Sequence, residues 1–428
     1  MKRIRLSDGI YLNIIESDKF KTDYFDINII LPLREETASY AALLPMVINR
    51  GCAKYPTMAD ITKRLDYLYS TGFSTRVMKR GEQQVVGFGV DFLRESLLPK
   101  GESLFDDVFD AVKNIVFEPL VDDGAFKDEY VQSEKKNLID AINALINNKN
   151  AYAMKKCHQA MCRGENFAVS ENGSVENVEK IGGKDLYEFY NNLLSTARIE
   201  FFYTGKCDEE KLVESTKKLL SGIERNNISN PSTKKFVRTR TAVNEIIEEM
   251  EVAQGKLIMA FSTGHVISDE NYTQYLVFNN LFGGSATSKL FENVREKMSL
   301  CYYCRSIPES HKGILTVASG IEVENYEKAR NEILLQLENV KCGIISDEEL
   351  ENAKKALTNS YRELFDDAPN LSLWYLTRLI GGSEKTVENV IDEIAQVTKE
   401  QITECAKTTE LDTVFFLKGT LNGGGDEK

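Results

Sequence analysis

Apolar and polar positions alternate with period two over residues 25–31, 85–92 and 199–204, which predicts strands. Apolar spacings of three and four predict helices over 40–49, 58–69, 103–116, 123–147, 151–162 and 184–193. The order then restarts, with strands over 256–261, 314–320 and 413–419 and helices over 270–281 and 288–297. A further helix opens at the capping box Ser346-Asp347-Glu348-Glu349, and Leu350, Ala353, Leu357, Tyr361 and Leu364 mark its apolar face.

Matching strands of the two halves are separated by roughly 215 to 230 residues, the mark of a duplicated α/β unit. The predicted fold class is α+β, with two similar domains, each a mostly antiparallel sheet with helices packed on one side. The polar stretch from Asn226 to Lys235, with Pro231 inside it, has the composition of an exposed linker. The expected organisation is a first domain over 1–225, a linker over 226–240, a second domain over 241–420 and a disordered tail over 421–428.

Charge narrows the function. Sixty-six acidic against fifty-three basic residues leave −13 at pH 7, so the general attraction to phosphate that nucleic-acid binders use is missing and no nucleic-acid partner is expected. No apolar run is long enough for a transmembrane helix or a secretory signal, so no membrane partner is expected and cytoplasm is the expected location. The eight cysteines lie in apolar or strand-like contexts and are read as free thiols, Cys301 and Cys304 included. The three histidines, His158, His265 and His311, are too far apart in sequence to form a His-x-x-x-His pair, so no metal is expected on this chain.

The most informative segment runs from Leu281 to Tyr302. Gly283 and Gly284 free a loop whose backbone can approach another chain, a helix then carries Arg295, and a turn leads into the strand bearing Tyr302. A guanidinium and a phenol so placed can both donate to one peptide carbonyl. On residue types alone, an ordinary surface arginine and a half-buried sheet tyrosine are the favoured reading of the pair.

This segment resembles the second-domain signature of the pitrilysin/insulinase family, which includes the mitochondrial processing peptidases. A glycine-rich loop, Ser-x-Leu-Phe, Val-Arg-Glu-Lys and Leu-x-Tyr fall at Gly283-Gly284, Ser288 to Phe291, Val294 to Lys297 and Leu300 to Tyr302. The resemblance covers the whole chain and implies half of a two-domain clamshell that closes over peptide, with Arg295, Tyr302, Gly283 and Gly284 as substrate-binding positions. Active members carry His-x-x-Glu-His on a first-domain helix. Here the corresponding positions are Ala42, Pro45 and Met46, with Pro45 expected to disturb the helix interior. The further carboxylate ligand falls on Ala141, although Glu134 is retained; a slip of one residue would bring in Asp140, and none supplies a histidine.

The resemblance therefore implies a non-catalytic subunit that pairs with a zinc-bearing homologue and a peptide substrate, with zinc on the partner alone. The alternative is a non-enzymatic interaction protein of the same fold, linked to elongation factor P modification. No autonomous machinery competes with these. Ser262-Thr263-Gly264-His265 lacks a nucleophile elbow, His158 reads as helix surface, and Gly87-Phe88-Gly89 lies inside a strand. Gly283-Gly284-Ser285 lacks the lysine of a phosphate loop, and Trp374 reads as packing.

Overall fold

The computed structural model describes residues 1–229 and 234–420. The first half forms β1 (Lys2–Ser7), β2 (Ile10–Glu16), β3 (Thr22–Pro32), α1 (Glu35–Ile48), α2 (Met58–Tyr67), β4 (Gly72–Arg80), β5 (Gln83–Leu93) and α3 (Phe105–Val112). It continues with a short ribbon, β6 (Val121–Asp122) and β7 (Ala125–Phe126), then α4 (Asp128–Ala144), α5 (Lys149–Met161), α6 (Val175–Lys180), α7 (Gly183–Thr196), β8 (Arg198–Gly205) and α8 (Glu209–Leu219). The second half forms β9 (Asn244–Met250), β10 (Gly255–Ser262), α9 (Tyr272–Asn279), β11 (Cys301–Glu309), β12 (Ile314–Ile321), α10 (Tyr326–Lys341) and α11 (Asp347–Glu363). It ends with α12 (Ala368–Ile380), α13 (Val387–Gln396), α14 (Lys399–Lys407) and β13 (Glu410–Gly419).

The two sheets share a topology. In the first the order is β1-β2-β8-β3-β5-β4, and in the second it is β11-β12-β10-β13-β9. Aligning β3 with β10 places β5 with β12, β4 with β11, β8 with β13 and β2 with β9. The single parallel pairing also falls at the same place, β2 with β8 and β9 with β13, and the other neighbours run antiparallel. Strand order and sense thus bear out two similar, mostly antiparallel domains.

The chain divides into two compact units that are not contiguous stretches of sequence. One comprises Met1–Asn143, residues 169–229 and Leu364–Thr377; the other comprises Ala144–Ala168, residues 234–363 and 378–420. In the first unit, Phe25, Ile27, Ile29 and Leu31 of β3 face a helix layer and anchor the core with Leu43, Val47, Phe109 and Val112. The opposite face of that sheet is polar yet buried. Glu200 is fully buried between Arg3 and Arg198, each 2.6 Å away, and accepts from Asn13 at 2.8 Å. Beside it, Asp26 pairs with Arg76 and accepts from Asn28. Thr204 and Ser372 hydroxyls lie 3.0 Å apart, which ties the 364–377 segment to this unit.

The equivalent face of the second sheet is apolar, and α5 lies on it. Ala153, Cys157 and Met161 recur at helical spacing and pack with Ile258, Ala260 and Phe415. This apolar stripe finds a matching surface on the second sheet, whereas the first sheet offers Asp26, Asn28 and Glu200 there. His158 is corrected by this placement: its Nε2 is 2.7 Å from Thr316 Oγ1, so it faces a sheet rather than solvent.

Pro45 also departs from expectation, since α1 runs through it to Ile48. Nine of the helix's fourteen residues are buried, and that packing outweighs one lost backbone bond. The stretch read as a linker is held at both described ends. Ser229 N donates to Thr196 O at 2.8 Å and Phe236 N to Lys312 O at 2.7 Å; residues 230–233 and the tail 421–428 lie outside the described residues. None of the eight cysteines forms a disulfide. Among the described residues no helix is long and apolar enough to cross a membrane.

Candidate functional site

The positions that match the family's zinc motif sit on α1 and α4. Ala42 is buried within the core, Pro45 is buried, and Met46 is half-buried and packs against the same core. Ala141 is exposed on α4, whereas Glu134 on that helix is buried. Glu134 does not stand free. Its Oε1 pairs with Arg50 Nη1 at 3.4 Å, and its Oε2 accepts from Asn137 at 3.0 Å. The retained carboxylate is therefore committed to an ion pair beyond the end of α1. Zinc needs about four N, S or O donors, and these positions offer methyls, a thioether and a proline. Among the described residues no group of three His, Cys, Asp or Glu side chains is placed to hold a metal ion. The residues do not fit the group.

The second set of positions lies around the start of β11. The glycine pair does not form an open loop: Asn280–Gly284 extends α9 as a π-helical turn. Gly283 is buried there, and a Cβ on it would stand 2.7 Å from Leu290 Cδ1 and 2.8 Å from Ser306 N. Gly283 thus permits close contact between this turn and β11, whereas Gly284 is exposed. Arg295 belongs to a second π-helical segment, Leu290–Lys297. Such wide turns are rare and re-aim the side chains they carry.

The segment passes into β11 through a tight reversal. Ser299 adopts a left-handed φ of 50°, its N–H donates to Arg295 O at 3.1 Å, and Leu300 N–H donates to Val294 O at 3.0 Å. Arg295 is 42% exposed, lies over the Phe291 ring and pairs with Glu296 at 3.5 Å. An exposed pair of this kind holds the guanidinium weakly. Tyr302 is 55% exposed and occupies the extra position of a β-bulge, since Cys301 pairs with Ile321 and Tyr303 with Gly320. Its hydroxyl donates to Glu322, and that hydrogen bond is the main reason the phenol is raised above its ordinary range.

The bulge has a further effect, since Cys301 and Cys304 both fall opposite core-facing positions of β12. The Cys301 thiol is held below its usual range first by hydrogen bonding with Cys304, and the nearby Arg295 charge adds to this. The structure thus brings Arg295 and Tyr302 to one end of an edge strand, sends Gly283 into the packing beneath it, and keeps the degenerate zinc positions in the other unit.

Two partners escaped the sequence reading. Glu322 was only partly findable, because the β11–β12 hairpin brings it near the start of β11 but the bulge at Tyr302 decides its partner. Lys289 was less so. It is 6% exposed and paired at 2.6 Å with Glu349, the carboxylate of the capping box that opens α11.

A family model described as "Peptidase M16 inactive domain" matches residues 180–357. The chain is 34% identical over 414 residues, 96% of each chain, to a Bacillus subtilis (strain 168) protein named "Probable inactive metalloprotease YmfF". A crystal structure of "a conserved protein from Enterococcus faecalis V583" superposes with a TM-score of 0.89 at 29% identity, covering 99% of both chains. The "peptidase M16 inactive domain from Pseudomonas fluorescens" shares the fold, with a TM-score of 0.76 at 15% identity over 99% of both chains. Through a relative 34% identical over nearly its whole length, itself named a probable inactive metalloprotease, the chain belongs to the M16 (pitrilysin/insulinase) peptidase family.

Proposed function

We propose that this chain is the metal-free subunit of a heterodimeric peptidase, pairing with a zinc-bearing homologue and supplying Arg295 and Tyr302 to a peptide held at the partner's metal. One observation carries the reading. Two exposed donors stand together at the end of edge strand β11, while the zinc positions are filled by apolar side chains. To act on a carbonyl, Tyr302 gives up Glu322 and Arg295 gives up Glu296, exchanges that cost little at exposed sites. Zinc enters this proposal only on the partner, and the chain's own residues bind and orient peptide.

The test uses the pair formed with a zinc-bearing homologue from the same organism, with assembly followed by sedimentation. Arg295→Ala and Tyr302→Phe are expected to lower turnover by roughly 10²- to 10³-fold while the pair still forms. Wild-type turnover in both variants, or a failure of the two chains to associate at micromolar concentration, overturns the proposal. The second reading, a non-enzymatic interaction protein, is favoured by the fact that both donors already have carboxylate partners. It predicts less than about a threefold change for Tyr302→Phe, since only an exposed hydroxyl is lost.

A further inference from the structure

On the face of the second sheet that receives α5, a cavity of about 890 Å³ opens between the start of that helix and edge strand β11. Register sets its floor. Tyr303, Gly320 and Lys256 stand side by side on β11, β12 and β10, and Arg305 follows two residues along β11 on the same face. A Cβ at Gly320 would stand 2.6 Å from Tyr303 Cε1 and 3.4 Å from Lys256 Nζ, so the glycine lets the ring lie flat across the strands. Tyr303 then donates to Asn150 Oδ1 at 2.9 Å, which fixes the ring against the first turn of α5.

The charge of this cavity is unlike that of the chain around it. In a molecule with sixty-six acidic and fifty-three basic residues, its lining includes Lys149, Lys256 and Arg305 and contains no Asp or Glu. Lys256 reaches only the Gln254 amide, at 3.4 Å, and lies 5.7 Å from the Tyr303 ring centroid. Neither Lys256 nor Arg305 has a carboxylate partner among the described residues. Partial burial holds the Lys256 ammonium below its ordinary range, the sign of a cation short of countercharge. The sheet's remaining cation is better served, since Lys418 of β13 pairs with Glu249, and Arg240, just ahead of β9, pairs with Asp412.

We propose that this cavity is a subsite for an acidic side chain of a peptide lying along the free edge of β11, with Lys256 and Arg305 as countercharges and Tyr303 as the apolar wall. The inference rests on the peptide-holding role proposed above and adds a substrate preference to it. An extended chain on a sheet edge presents alternate side chains to one face, and here that face carries the cations. Pairing a carboxylate with two cations selects for charge more than for size.

The test measures fluorescence anisotropy of the full-length chain with two labelled hexapeptides, Ala-Leu-Glu-Ala-Leu-Gly and the same peptide with glutamine for glutamate. The glutamate peptide is expected to bind about tenfold tighter, with the margin shrinking as salt rises. Lys256→Gln and Arg305→Gln should each cut that preference to threefold or less, while Lys256→Arg, which keeps the charge and checks the fold, retains it. Equal binding of the two peptides, or a preference unchanged in both glutamine variants, overturns the acidic subsite and leaves the peptide-holding role standing. No binding of either peptide up to about 1 mM overturns both.

Discussion

Glu349 does two jobs, and removing it tests how the Arg295-bearing segment is held. Its carboxylate accepts from Ser346 N at 2.8 Å, Ser346 Oγ accepts from Glu349 N at 3.0 Å, and the same carboxylate neutralises Lys289 at 2.6 Å. Lys289 directly precedes the π-helical segment, and only 6% of its side chain is exposed. Glu349→Ala strands that ammonium. Breaking a buried pair from one side costs roughly 3–5 kcal/mol, and the 32% exposure of Glu349 discounts this toward 2 because water reaches the site. Loss of the capping carboxylate adds about 1 kcal/mol, for a total near 3. Glu349→Gln keeps the cap and loses only the charge, so about 1 kcal/mol is expected. Lys289→Met removes the buried charge itself and leaves a capped, partly hydrated carboxylate, so it should cost no more than about 1 kcal/mol.

With two units in the chain, global unfolding is a poor reporter of one clasp. Hydrogen exchange of residues 290–297 reads it locally, and Glu349→Ala should speed exchange there by about a hundredfold, with Lys289→Met within about fivefold of wild type. The pH dependence supplies a second check. Burial pushes the Glu349 carboxyl up, but the bonds from Lys289 and Ser346 outweigh it and leave it below its ordinary range. A depressed carboxyl stabilises fully above its unfolded value, near 4.3, and loses that contribution as pH falls through the folded value. The gap between wild type and Glu349→Ala should therefore close in acid. Equal effects of Glu349→Ala and Lys289→Met, or a gap that does not change with pH, would refute the assignment of a buried clasp.

Gly283→Ala should destabilise the second unit by roughly 1–3 kcal/mol, because the new methyl meets backbone on β11; thermal unfolding should show a lower midpoint. Gly284→Ala meets mainly the Asn279 side chain and carbonyl and should cost less, so the reverse order would remove the packing role given to Gly283. After chelation and re-addition of zinc, the isolated chain should retain well under one metal per molecule by elemental analysis. A single tight zinc lost on changing Met46 would contradict this.

Strands with strong alternation were legible in the sequence because one face of each is buried against helices. β1 and β9 were not. Lys2–Ser7 and Asn244–Met250 are edge strands whose charges guard an open edge, so their pattern reads as polar surface. Helix α5 was found as a helix but its sheet was not, since nothing local to Ala153, Cys157 and Met161 says which apolar face they meet. His158 was misread for the same reason.

The candidate site divides along the same line between identity and placement. Loss of the zinc ligands is a statement about residue types, and Ala42, Pro45, Met46 and Ala141 carry it without coordinates. Arg295 and Tyr302 were legible because a turn of a few residues joins them. Whether they are free to act depends on Glu296 and Glu322, and the second lies across a hairpin whose bulge no composition reveals. Burial then constrains what the lost motif means physically. Ala42 is 3% exposed inside the first unit's core, so an imidazole placed there has to displace packed neighbours before it can reach a metal. Restoring the motif's letters would thus overpack α1, and its apolar replacements now hold that helix against the sheet. The chain's exposed donors consequently lie near β11, away from the lost motif.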